Sequence, residues 1–257
     1  MAKELITPES TNHWYKPDGE PAYGATLREA RKQYLFPSVT EVIKVMASPG
    51  LEAWKQTMLV TSALTIPDDE KSNDLDALAK QIIAESRKPA MDAAKRGTEV
   101  HNGAEAILWD NKWDTEDAWL NEVYNWVQSN VLSVEWTEKS LVNSELGYAG
   151  KADALIDHQE HGMCLIDWKT SNLKRSGKKN EYKPRFFEKW LLQLAAYREC
   201  LGTNPHVVSV IINSNEPQIF EKVWTDEEVD EAYKIFVNLF HTWCWTKKYN
   251  PIPQEAA

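Results

Sequence analysis

Residues 147–171, GYAGKADALIDHQEHGMCLIDWKTS, decide the reading of this chain. Two apolar runs, each with an acid in its middle, flank the polar segment HQEHG, a pattern of two strands joined by a short loop. Asp167 and Lys169 are two residues apart and leave one face of a strand, while Cys164, Ile166 and Trp168 leave the other. With Glu160 at the centre of the loop, antiparallel pairing sets Asp153 opposite Asp167. Like charges face to face destabilise a hairpin, and burial raises the cost. A hard divalent cation reverses that sign, because Mg²⁺ takes oxygen ligands from one or two carboxylates together with water and phosphate oxygens. An ammonium beside the ion could orient or help deprotonate an attacking water and offset phosphate charge. The plainer alternative is an Asp–Lys salt-bridge cluster on a solvated hairpin face.

Upstream of this hairpin the pattern is helical. Ser38 with Glu41 three residues later has the form of a capping box, followed by Val42, Val45 and Met46. Leu51, Trp54 and Met58 repeat at helical spacing, as do Trp119, Val123 and Trp126, so helices are expected to dominate 38–130, interrupted by the loop IPDDEKSND. Residues 1–36 lack a period and read as an irregular arm. Downstream, strands are expected at 132–143, 149–157 and 163–170, then a helix over 186–201 that stops at Gly202. HVVSVIIN and QIFEKVW follow as strands. A closing helix starts at Thr225 with Glu228 as its capping partner and Val229, Tyr233, Phe236, Phe240 and Trp243 on one face. The expectation is one α/β (α+β) domain over 37–249, with a mainly helical part to 130 and a sheet with flanking helices after it, and a flexible tail at 250–257.

The 257 residues, 42% hydrophobic and 26% charged, suffice for a buried core and exclude a wholly disordered chain. Cys164, Cys200 and Cys244 are widely spaced, which suggests neither a disulfide framework nor a zinc or iron–sulfur cluster. The amino-terminal residues lack the apolar region of a secretion signal, and no apolar run approaches the ~20 residues that span a bilayer. The absence of a Walker A sequence leaves helicase activity to another chain. Twenty-nine basic against thirty-nine acidic residues give a net charge of −10, which on its face argues against a nucleic-acid partner. Residues 171–189 reverse the local balance, with seven basic side chains against Glu181 and Glu188. That loop could clamp phosphates, with Tyr182, Phe186 and Phe187 stacking on unpaired bases. Alternatively it is a solvated loop whose phenylalanines start the next helix.

GYAGKAD followed by LIDWKTS resembles the PD-(D/E)XK nuclease superfamily, in particular its RecB-like exonuclease branch. RGTEVHNGAE at 96–105 is similar to the branch's upstream histidine motif, and QLAAY at 193–197 to its glutamine–tyrosine motif. FPSVTEVI and LEAWKQ resemble phage exonucleases and a mitochondrial genome maintenance exonuclease. The resemblance covers about residues 36–200. It implies a restriction-endonuclease-like core, a central mixed sheet flanked by helices, with a helical amino-terminal elaboration. It further implies an Mg²⁺- or Mn²⁺-dependent deoxyribonuclease, without an iron–sulfur cluster, acting on DNA ends in phage or bacterial replication, recombination or repair. Asp153 and Asp167 would be metal ligands, joined by His101 and the Trp168 carbonyl. Lys169 would be the catalytic lysine, and Gln193 and Tyr197, one helical turn apart, would reach the site or the DNA backbone. For the further acid of the family, Glu145 and Glu135 compete, Glu145 being preferred, and Glu105 could support His101. DNA contacts are expected from Lys174, Arg175, Lys178, Lys179, Lys183 and Arg185, and from Ser38. The expected location is the cytoplasm of a bacterium or phage-infected cell, with DNA as partner, possible protein partners in recombination or replication, and no membrane. An endonuclease using the same site and a non-catalytic DNA-binding module are the alternatives.

Overall fold

The computed structural model describes residues 14–109, 116–177 and 180–252. In chain order the elements are β1 (Trp14–Tyr15), β2 (Pro21–Ala22), α1 (Leu27–Gln33), β3 (Phe36–Pro37), α2 (Val39–Ile43), α3 (Pro49–Thr65) and α4 (Leu75–Trp109). They continue with α5 (Ala118–Asn130), β4 (Val131–Asn143), β5 (Tyr148–His158), β6 (Gly162–Ser171), β7 (Arg175–Ser176), β8 (Glu181–Tyr182), α6 (Glu188–Glu199), β9 (His206–Asn213), β10 (Ile219–Trp224) and α7 (Asp226–Lys247). The chain divides into two compact units, residues 46–102 and the remainder, with the boundary inside the helical stretch 37–130.

The larger unit is built on a five-stranded sheet of order β10-β9-β6-β5-β4. Only β6 and β9 run parallel, with α6 between them in the chain, as a parallel pair requires a crossover rather than a tight turn. The sheet is therefore mixed, and the protein is α/β with helices against the sheet. On one side Leu165 and Val207 pack with Val39 and Val42 of α2, Leu191 and Leu194 of α6, and Phe236 and Phe240 of α7. On the other, Trp126 of α5 meets Trp168 edge-on at 5.1 Å and donates Nε1 to Glu221 of β10 at 2.8 Å. Gly103 lets α4 and α5 approach closely, since a Cβ there would lie 2.4 Å from a Leu120 methyl.

Helix starts follow from local chemistry. The Thr225 hydroxyl accepts from Glu228 N, and Glu228 returns the bond to Thr225 N at 2.9 Å, a reciprocal cap that satisfies two otherwise orphaned amides. At Ser38 the hydroxyl accepts from Glu41 N, but α2 ends at Ile43, short of Val45 and Met46. The irregular arm expected at the amino terminus is corrected from Trp14 onward. β2, β1 and β3 form a small antiparallel sheet, and α1 carries its own capping box between Thr26 and Glu29. Tyr15 and Phe36 are buried with Ala149, and a parallel bridge joins Ser38 to Ala149, so this segment is packed on β5. The tail also begins in packed structure. Pro251 is buried, and a Cβ on Gly147 would lie 2.9 Å from it. Residues 253–257 lie outside the described residues.

The smaller unit pairs α3 with α4 up to Asn102. Asp74 accepts from Ala77 N at 2.8 Å at the start of α4, and Gln81 donates to Glu70 O at 3.0 Å, which ties the connecting loop to the helix. No residue of α3 is buried, and Leu51, Trp54, Leu59, Ile83 and Ala90 line a hollow of about 560 Å³.

Candidate active site

The β5–β6 register matches the expected hairpin as far as Ala154↔Ile166, with His158 opposite Gly162 and the loop centred on Glu160. At the next position the ladder stops. The Asp153 carboxylate reaches across and accepts the Trp168 backbone N–H at 2.7 Å, taking the place of a rung. The same irregularity shows in packing: Tyr148, Ala152 and Leu155 all join the core under α6 and α7, which strict alternation along β5 forbids.

Asp167 projects from the middle of β6, almost wholly buried, and accepts Lys169 Nζ at 2.6 Å. The same ammonium donates to Gln193 Oε1 at 3.3 Å, and Gln193 Nε2 donates to the Tyr197 hydroxyl at 3.3 Å. Gln193 and Tyr197 meet because they are four apart on α6. The structure thus brings Asp167, Lys169, Gln193 and Tyr197 into one hydrogen-bonded chain. Burial pushes the Tyr197 phenol well above its ordinary pKa, and Tyr15, Asp153 and Asp167 add to the shift against the opposing Gln193 bond. The hydroxyl therefore stays protonated at neutral pH.

A second acid beside Asp153 is Glu138. In the β4–β5 ladder Thr137 pairs with Ala154 and Lys139 with Ala152, so Glu138 falls opposite Asp153. Their carboxylate oxygens approach within 4.8 Å. Glu138 adopts a left-handed conformation, φ 50°, that non-glycine residues rarely occupy in a strand. It forms an ion pair with Lys151. Burial pulls the Lys151 pKa down, but Glu138 outweighs that and the net shift is upward. Next to Glu138, Thr137 donates to Glu105 at 3.1 Å and receives Trp109 Nε1 at 3.0 Å, which fastens the end of α4 to β4.

Glu145 and Glu135 are corrected as candidates for that acid. Glu145 sits in the β4–β5 turn, beside a hollow of about 270 Å³ lined by Phe240, His241 and Cys244. Asp153 lies five residues beyond Tyr148, roughly 17 Å along the strand at 3.3–3.4 Å per residue. Glu135 is exposed among the register shifts at the start of β4. Glu138 escaped the sequence reading because its position depends on that pairing; E-x₁₄-D separations carry no periodic signal.

His101 lies on α4, one turn before Glu105 and on the same face of that helix. Trp168 is paired with Val210 in the β6–β9 ladder. Ser38 is corrected as a DNA contact: it is buried, and its hydroxyl is engaged with Glu41 N and Thr40 Oγ1. The basic segment is partly folded as the β7–β8 hairpin. Arg175 pairs with Glu216 at 3.0 Å and lies over Tyr182, while Arg185 covers Phe187. Tyr182 also faces Phe220, and Phe186 packs edge-on against Trp224. Lys174, Lys183 and Arg185 are exposed; Lys178 and Lys179 lie outside the described residues.

The acids gathered here offer oxygen ligands. Glu138 and Asp153 converge, Asp167 is adjacent to the amide that holds Asp153, and carboxylate oxygens suit Mg²⁺ or Mn²⁺ rather than a thiophilic ion. Among the described residues no helix is long and apolar enough to cross a membrane.

No family model matches the chain, and no curated protein matches it. Among solved structures it is similar to the alkaline exonuclease LHK-Exo of Laribacter hongkongensis, at 15% identity over 83% of this chain and 90% of that one, with a TM-score of 0.39. It is also similar to SSO0001, at 16% identity over 80% of this chain and 91% of that one, with a TM-score of 0.34.

Proposed function

We propose that the protein is a metal-dependent deoxyribonuclease of the PD-(D/E)XK, RecB-like kind, an exonuclease that hydrolyses phosphodiester bonds at DNA ends during replication, recombination or repair. The observation that carries this reading is the buried Asp167, bonded to Lys169, which Gln193 in turn bonds, beside a second carboxylate held by the Trp168 amide. A salt bridge made for stability gains little from such burial, because desolvation of both charges opposes the attraction. Asp153, Asp167 and Glu138 would hold Mg²⁺ or Mn²⁺, with the Trp168 carbonyl as a further donor. The bound ion supplies Lewis acidity and polarises water. Lys169, fixed between Asp167 and Gln193, aims an ammonium at the position of the phosphate and the attacking water, while Tyr197 locks the Gln193 amide. Lys174, Lys183 and Arg185, on the segment leading from β6 to α6, supply cations for the DNA backbone.

The test is digestion of end-labelled DNA with Mg²⁺, with chelator, and with the Asp167→Asn protein. Activity is expected only with the ion, and the substitution is expected to lower the rate by about 10²- to 10⁴-fold. Equal products from wild type and Asp167→Asn would remove the site, and closed circular single strands cut as fast as linear ones would replace the exonuclease by an endonuclease.

A further inference from the structure

We infer that Lys151 is a resident competitor for the metal, an ammonium paired with Glu138 that lowers the site's affinity for a divalent ion. The inference rests on the proposed function, in which Glu138 and Asp153 are ligands. Their oxygens lie within 4.8 Å of one another, and two carboxylates at that separation repel. The Lys151 ammonium is seated on Glu138 and offsets the repulsion. Lys151 stands two residues before Asp153 on β5, and Glu138 is opposite Asp153 on β4, so the backbone delivers all three groups to one place.

The Lys151 ammonium and a divalent ion draw on the same Glu138 charge and repel each other, so each weakens the other's hold on it. The apparent metal affinity is reduced by the coupling between the two cations, and it recovers in molecules in which Lys151 has swung away. Release is feasible because the Lys151 side chain remains 46% exposed and can hydrate its ammonium on leaving. The lysine keeps the site compact when no metal is bound, and it sets the concentration at which the ion enters.

Titration calorimetry with Mn²⁺ on the full chain tests this. Lys151→Met is expected to tighten Mn²⁺ binding by up to about fivefold, the upper end of what a partly exposed ion pair is worth. Lys151→Arg, which keeps the cation, is expected to bind as wild type does. In a Glu138→Gln background the Lys151→Met change is expected to have no effect, because the shared carboxylate is gone. Unchanged affinity in Lys151→Met, or equal tightening in the Glu138→Gln background, would overturn the inference, the latter by showing a general field effect. An Asp153→Asn protein that binds Mn²⁺ as well as wild type would instead defeat the proposed function, so the two failures are distinguishable.

Discussion

At Gly150 the fold leaves room for a hydrogen atom and nothing larger. A Cβ there would stand 2.6 Å from Tyr197 Cε1 and 2.8 Å from its hydroxyl, both well inside contact distance. Tyr197 is buried and bonded to Gln193, so the ring cannot yield without disturbing the chain to Lys169. Gly150→Ala is therefore expected to cost about 1–3 kcal/mol as an overpacking substitution, read from the urea midpoint. A midpoint equal to wild type would show that α6 shifts freely. Asp167 and Lys169 were legible as a pair because a period of two sets residues two apart on one face of a strand, whereas the arithmetic brings Asp153 only to their neighbourhood, since the ladder stops at Ala154↔Ile166. Gly150 and Glu138 were not. One depends on a ring arriving from α6, the other on a left-handed residue and on register shifts in β4.

Among the elements, the closed end of the β5–β6 hairpin holds a titratable group. His158 is buried, accepts Glu160 N at Nδ1 over 3.2 Å, stacks on His161 at 4.8 Å and lies 4.0 Å from Glu221. Burial lowers its pKa below the ordinary 6.5, against the pull of Glu221. The folded protein then resists a proton that the unfolded chain accepts. The stability His158 contributes is complete above pH 6.5 and is lost as pH falls from there through the lowered folded value. His158→Gln should flatten the dependence of Tm on pH in that window, and parallel curves for the two proteins would assign the acid sensitivity elsewhere. Long periodic elements such as α5, β9 and α7 could be read from the sequence because burial imposes a repeat on them. The segment Trp14–Pro37 could not, because strands of two residues are too short to repeat. There the folding signal is a few buried aromatics whose partners lie far along the chain.

For the molecule as a whole, those partners are near the carboxyl end. Trp14 meets Trp243 at 5.9 Å and Tyr249 at 6.1 Å, and the one proton of the Tyr249 hydroxyl is shared between the carbonyls of Leu35 at 2.8 Å and Ala30 at 3.1 Å. Tyr249→Phe would take the hydroxyl donor from the Leu35 carbonyl, while Ala30 O keeps the Leu35 amide, at an expected cost of about 1–3 kcal/mol measured by chemical denaturation. A value near zero would mean that packing alone joins the two ends. The net charge of −10 also reads differently at this scale, since Glu216 offsets Arg175 within the basic segment and the local excess is smaller than the sequence suggests. The clasp of Tyr249 on α1 has a consequence for biosynthesis. On the ribosome the amino-terminal sheet emerges early, yet its aromatic partners are translated more than 200 residues later. At about 5–20 residues per second it waits on the order of ten seconds or more, with Trp14 uncovered, before the core can close.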